Sequence, residues 1–333
     1  MHVQGLYVYP IKSLRPIVLD STAIHVIGPL HDRVFLLQHE LPPTEFGGSP
    51  SYRNMHITSY PQLCLFFQEF LVSSPELLVR HIPPSPGKCR ELVIPLSPET
   101  AGLVQREIVM HKSECLGYDM GDSYATFFTA CLGVTTRLVY LGSSRRPVLG
   151  NIAPDASVAS RPSKAEISFA DCAPLLIATQ TSLNALSERI PGDEEMDITK
   201  LRPNIVLAAD EDGELEPWEE DYWGMIEIAG HPVMMTANCL RCKSINIDYA
   251  TGDPVAPSRQ PLKMLMRDRR VDTGMRYSPV FGRYGFLPDM DEKGMVVSVG
   301  DKVIVSKRNK ERTIFCEYRL PAATMNNGLM KVI

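Results

Sequence analysis

The sequence predicts a mainly-β, α+β chain built as two β-barrel-type lobes with a few short helices. Three observations carry this. Apolar residues come in many short runs of strand length, several of them alternating with polar ones. There are 27 prolines among the 333 residues, which stop helices and favour short strands joined by structured loops. A polar stretch, "SSRRPVLGNIAPDASVASRPSKAE" (143–166), separates two strand-rich halves as a linker between lobes does.

In order, "VQGLYVY" (3–9) reads as a first strand ending at Pro10, and "RVFLLQ" (33–38) as a second. A Pro-, Gly- and Ser-rich loop fills 40–56. Strands are expected over 62–72, 76–82, 91–96 and 136–142. Between the last two, "GDSYATFFTACLG" (121–133) reads as a helix capped by Asp122 and stopped by Gly133, with Phe127, Phe128 and Cys131 toward the core. Beyond the linker, 182–190 reads as a helix ended by Pro191-Gly192. Residues 204–210, 224–230 and 243–248 read as strands, and 294–307 as two strands around Gly300-Asp301. The expected division is 1–140, 141–310 and a tail at 311–333, without internal repeats.

Composition excludes several classes. At 44% hydrophobic and 22% charged the chain buries a core. A net charge of -5 argues against general nucleic-acid binding. The N-terminus lacks the pattern of a secretory or transit peptide, and no run of apolar residues is long enough to span a membrane. Eight scattered cysteines fit a reducing, cytoplasmic compartment. Walker A, G-x-G-x-x-G and H-E-x-x-H patterns are absent. "GDSYA" (121–125) approaches a nucleophile elbow but ends in Ala125, and helix capping explains it.

The stretch that calls for chemistry is "TANCLRCKSINIDYATGD" (236–253), with Cys239 and Cys242 at C-x-x-C spacing. A structural zinc needs four ligands; no second pair exists, and the nearest histidine is His231. A redox dithiol belongs at a helix start, yet strand formers follow here. An iron–sulfur cluster needs four cysteines at short spacings. Two inert buried cysteines remain possible. So does a single thiolate ligand for a soft metal, favoured by the neighbouring Arg241 cation, which could instead clamp a phosphate.

This segment resembles the C-S-R-C…D-x-x-T-G stretch of the molybdenum cofactor sulfurase C-terminal (MOSC) domain. "KLRPNIVL" (200–207) resembles that family's F-R-P-N-I-V motif, "SFADCAPLLIATQTSLNAL" (168–186) its S-D-x-x-P-x-L-I segment, and "PWEEDYWGMIEIAG" (217–230) the stretch between them. "YPIKSLRP" (9–16) and "HDRVFLL" (31–37) resemble the N-terminal β-barrel domain that precedes MOSC, while "SPVFGRYGF" and "VSVGDKVIV" resemble its closing strands. The resemblance is strongest to the amidoxime-reducing members of the family. It implies a pterin-dithiolene molybdenum cofactor with Cys242 as the metal's thiolate ligand and Arg241 beside it. It implies Lys12, Ser13 and Arg33 on the cofactor phosphate, Arg202 and Asn204 on phosphate or pterin, Asp171 as a catalytic proton relay, and Arg145 and Arg146 at the cofactor or site mouth.

The implied activity is reduction of small N-hydroxylated substrates, amidoximes or hydroxylamines. Neither the membrane-anchoring N-terminus nor the ferredoxin domain of some members is visible. Electrons are therefore expected from a separate donor protein, cytochrome b5 with its NADH reductase or a ferredoxin-type donor. The alternative is a carrier or processing module that holds the cofactor, or sulfur on Cys242, without turnover. Departures from the family pattern fall at Cys172-Ala173 in place of Thr-Ser, at Thr58 of "HITS" in place of Arg, at Leu240 between the cysteines and at "INI" (245–247). They bear on substrate range and cofactor contacts.

Overall fold

The computed structural model describes residues 1–43, 48–84, 87–150, 165–192, 195–288 and 294–315. The first half holds β1 (His2–Val8), β2 (Ile17–Leu19), β3 (Ser21–His25), β4 (Gly28–Pro29), β5 (Phe35–Leu41) and β6 (Ser51–Asn54). It continues with β7 (Phe66–Phe70), β8 (Glu76–His81), β9 (Arg90–Pro95), β10 (Gln105–Met110), β11 (Ser113–Asp119), α1 (Asp122–Leu132) and β12 (Thr136–Tyr140). The second half begins with β13 (Arg146–Pro147), β14 (Glu166–Ile167), β15 (Leu175–Thr179), α2 (Gln180–Ser187), β16 (Ile205–Ala208), β17 (Trp223–Ile228) and β18 (His231–Leu240). It closes with α3 (Pro261–Leu265), β19 (Val280–Phe286), β20 (Met295–Ser298) and β21 (Val303–Arg308).

These strands make a β-rich fold of curled, barrel-like sheets with a few short helices. The larger sheet runs β2-β1-β16-β15-β19-β18-β17-β21. Its inward residues, among them Val3, Ile177, Ile205, Trp223, Ile226 and Val233, form one core. A five-stranded sheet, β10-β11-β12-β5-β6, and a three-stranded one, β7-β8-β9, enclose a second core with Phe35, Phe66, Phe128 and Leu138 at its centre. The halves trade strands. β1 pairs with β2 on one side and with β16, two hundred positions away in the chain, on the other. β20 returns to pair with β3. Among the described residues no helix is long and apolar enough to cross a membrane.

Four local expectations need correction. Residues 243–248 do not form a strand: Lys243–Asn246 is a turn of 3-10 helix. Asp248 then folds the chain back by accepting from Ala250 N and Gly252 N, a local bond that competes with sheet pairing. Pro61 at the start of Pro61–Leu65 makes that stretch a 3-10 turn, so β7 begins only at Phe66. Asp122 is not the cap of α1. Gly121 occupies that position at φ 92, and the Asp122 carboxylate instead takes Arg137 Nη1 at 2.7 Å. Gly133 does stop the helix in the left-handed region, donating to Thr129 O. Finally, the expected loop 40–56 contains β6, which pairs with β5; the two strands expected around Gly300-Asp301 are present, β20 joining β3 and β21 joining β17. Most of the 143–166 linker and of the 311–333 tail lies outside the described residues.

Candidate functional site

Where the halves meet, a cleft of about 320 Å³ opens, within the range of small-molecule sites. Both halves line it. Past β1 the chain turns sharply: Tyr9 N donates to the Asp32 carboxylate at 2.9 Å and Lys12 N to Phe35 O at 2.8 Å. This turn carries Lys12 and then Ser13, whose φ of 73 is unusual for a residue with a Cβ. Lys12 is buried, and its Nζ donates to Phe169 O at 2.8 Å and to the Asp171 carboxylate. Burial pulls the Lys12 ammonium down; the Asp171 charge works against this.

Two more cations share one aromatic ring. The guanidinium carbons of Arg33 and Arg202 lie 4.6 and 4.3 Å from the Tyr9 ring centre. Arg33 is also paired with Asp32 and donates to Asn204 Oδ1 at 3.3 Å and to Arg202 O at 3.2 Å. Asn204 is buried and acts as a tie: Oδ1 also accepts from Leu176 N, and Nδ2 donates to Tyr7 O. It thereby locks β1, β15 and the start of β16 together at the cleft floor.

The third wall is the end of β18. Cys239 is buried and Cys242 exposed. Arg241 Nη1 donates to Cys239 Sγ at 3.0 Å and Nη2 to Leu201 O at 2.9 Å. Its Nε is buried without a hydrogen-bond partner among the described residues. Burial pulls the Arg241 guanidinium down, but the Cys239 and Cys242 sulfurs more than offset this and leave it raised. Tyr284 backs the wall at 3.2 Å from Cys239 Sγ; burial above all, then Cys239, pushes its phenol far up, so it stays neutral. Cys242 Sγ lies 3.2 Å from Ser244 Oγ at the open rim.

Asp171 sits opposite, on the loop before β15. Desolvation raises its carboxyl; the Lys12 ammonium and then His111 outweigh that and hold it well below the usual carboxylate range. Arg146 reaches this loop from behind, donating to Ala170 O and, at 2.6 Å, to Asp171 O. It is buried outside the cleft and holds the Asp171 backbone. Arg145 is exposed, bonded to Ser144 O at 2.7 Å, and does not reach the cleft.

The structure thus brings Lys12, Ser13, Arg33, Asp171, Arg202, Asn204, Arg241 and Cys242 to one cavity. It adds His56, His111, Ser244 and Tyr284, which the sequence reading did not pick out. His56 stands in the same "HITS" stretch that drew attention to Thr58. His111 falls in the two-residue turn between β10 and β11, a position that periodicity marks only as a turn.

Four cations, Lys12, Arg33, Arg202 and Arg241, face the two carboxylates of Asp32 and Asp171, which leaves a positive surplus. Such a site suits an anion with phosphate oxygens. Among the described residues no three His, Cys, Asp or Glu side chains gather as a metal site, so the zinc reading of Cys239 and Cys242 finds no ligand set here. A metal that brings its own chelating cofactor needs only one protein thiolate. The lone exposed sulfur beside the cation-rich cleft, with the unpartnered Arg241 Nε behind it, fits a phosphorylated dithiolene cofactor of that kind.

Fold and cleft together define a β-rich anion-binding protein with a thiol at its rim. The MOSC N-terminal beta barrel domain family matches residues 1–135 and the MOSC domain family residues 164–304; the chain belongs to the MOSC-domain proteins with this N-terminal barrel, a family of molybdenum-cofactor proteins. It is 26% identical to human mitochondrial amidoxime-reducing component 1 over 310 residues, which covers 90% of this chain and 82% of the relative. Bovine mitochondrial amidoxime reducing component 2 is likewise 26% identical, over 311 residues, with the same coverage. The rice molybdenum cofactor sulfurase is 24% identical over 281 residues, 81% of this chain but 31% of that longer protein.

Proposed function

We propose that this chain binds molybdenum cofactor and reduces N-hydroxylated compounds of the amidoxime or hydroxylamine type with electrons from a separate donor protein. One observation carries the reading: an exposed cysteine thiol, Cys242, stands at the rim of a cleft with surplus positive charge. The names and coverage of the amidoxime-reducing relatives support it.

Cys242 would ligate the metal, with the Arg241 guanidinium next to it in the same cleft. Lys12, Ser13, Arg33 and Arg202 would hold the phosphate and the pterin edge. Asn204 acts indirectly, keeping Arg33 in place, and Arg146 does the same for the 170–171 backbone. Bound, the cofactor supplies two-electron redox chemistry at molybdenum. Leu201 and Leu240 give the wall beside Cys242 an apolar face. Asp171, half exposed, points a carboxylate into the cleft, where it can accept or pass a proton. We further propose a cytoplasmic location and an electron-transfer partner of the cytochrome b5 with NADH reductase type, or a ferredoxin.

Metal and pterin analysis of protein from a host that makes the cofactor tests the reading. Stoichiometric molybdenum, lost in Cys242→Ala, together with turnover of benzamidoxime by reduced methyl viologen, is expected. Retained cofactor or transferable sulfane sulfur on Cys242 without turnover would instead support a carrier role, in line with the match to the sulfurase.

A further inference from the structure

Cleft residues from the N-terminal half include two histidines with no assigned part. The β10–β11 hairpin closes through a two-residue turn, His111-Lys112, with φ of 50 and 58. Turns with both central residues at positive φ favour Asn-Gly, and side chains with a Cβ are strained there. This strained turn sets His111 Nε2 at 3.5 Å from Asp171 Oδ1. The same carboxylate oxygen takes Lys12 Nζ. His56, carried past β6, lines the same mouth. Among the described residues, groups facing the His111 ring include Asp171, Lys12 and His56; Lys112 follows it on the turn, and Arg146 lies behind the Asp171 backbone.

Reduction of an N-hydroxylated group takes two electrons and two protons. The N–O bond breaks, one proton completes the departing water, and the other ends on nitrogen. The donor protein supplies the electrons. The protons must cross the cleft, and the cations there offer poor routes: guanidinium groups do not deprotonate in proteins, and Lys12 is buried against Phe169 O.

We propose that His111 is the proton-entry residue of this site, passing solvent protons by way of the Asp171 carboxylate to the N–O group, with His56 as the second imidazole at the mouth. The assignment rests on the reductase reading above. Imidazole exchanges protons near neutral pH and is half exposed here, while Asp171 reaches both the imidazole and the cleft interior.

His111→Asn is the informative variant. Asparagine tolerates positive φ, so the hairpin is kept while the titrating ring is removed. With benzamidoxime and reduced methyl viologen, kcat is expected to fall about 10²-fold, with KM and molybdenum content unchanged, and added imidazole is expected to restore part of the rate. A rate close to wild type, or a loss explained by lost cofactor, overturns the proposal. A second readout needs no turnover. In cofactor-free protein, NMR titration of the histidine rings, with His111 assigned from the resonance missing in His111→Asn, should show its pKa falling in Asp171→Asn, because the carboxylate favours the imidazolium. An unchanged titration removes the coupling on which the relay depends. Wild type with full cofactor but no turnover would sink the reductase reading, and the relay with it; normal turnover with an unaffected His111→Asn would sink the relay alone.

Discussion

Two regions of this molecule concentrate charge, and they are built oppositely. Around β17 and β19, Asp221 is fully buried and takes Arg269 Nη2 on both oxygens at 2.8 Å and Arg312 Nε at 2.8 Å. Arg283, also buried, donates to Trp223 O, Asn238 Oδ1 and Thr313 Oγ1. In that network the charged groups end on buried protein partners and tie the segment after β21 to the sheet. In the cleft two guanidiniums share one tyrosine ring, and the key carboxylate and thiol face solvent. The buried network holds the fold. The solvent-facing one is poised for something that is not protein.

The contrast is open to direct attack, and Asp221→Ala should strike hardest. It leaves Arg269 buried without its partner, and the loss expected from denaturant unfolding is about 3–5 kcal/mol. Lys12→Met should do the reverse. It removes a buried cation from a crowded set, so stability is expected to change by less than about 1 kcal/mol, while molybdenum retention falls. A large stability loss at Lys12 would erase the distinction between the regions.

Glu220 gives a subtler test. Burial, and next the Asp221 carboxylate, push its carboxyl up to about 7. A folded-state pKa above the unfolded one means the folded chain holds the proton longer. The stabilisation is complete below the ordinary glutamate range, near pH 4.5, and is lost as pH rises to about 7. Glu220→Gln should flatten that slope and make the protein more stable than wild type above pH 7, by up to about 3 kcal/mol; thermal melts across pH 4–8 check this. The smallest effect belongs to Arg145→Ala. It lies outside both regions, and stability and cofactor content should stay within about 0.5 kcal/mol and unchanged, respectively.

Much of the strand pattern was legible because apolar alternation survives in β1, β8, β9, β12 and β17. In 243–248 the apolar Ile245 and Ile247 suggest a strand, but Asp248 offers the backbone a local bond that wins. The two strands around Gly300 are legible, but periodicity says nothing of which neighbour each one chooses. The cleft residues that motifs mark, Lys12, Arg202 and Cys242, could be proposed from the chain alone, and so could Asp171. His111 could not, since a turn position gives no sign of what the turn is aimed at. Arg145 and Arg146 are adjacent in sequence, yet Arg146 opens β13 and is buried while Arg145, just before it, is exposed.

The pairing of β1 with β16 also has a bearing on how the protein is made. The first strand leaves the ribosome early, but one of its two neighbours is not synthesised until residue 205 and beyond. At 5–20 residues per second the gap is roughly 10–40 s. For that time β1 has an unsatisfied edge, the state in which nascent chains pair wrongly or recruit chaperones. Lys12, four residues past its end, waits in the same way for Asp171, 159 residues further along the chain.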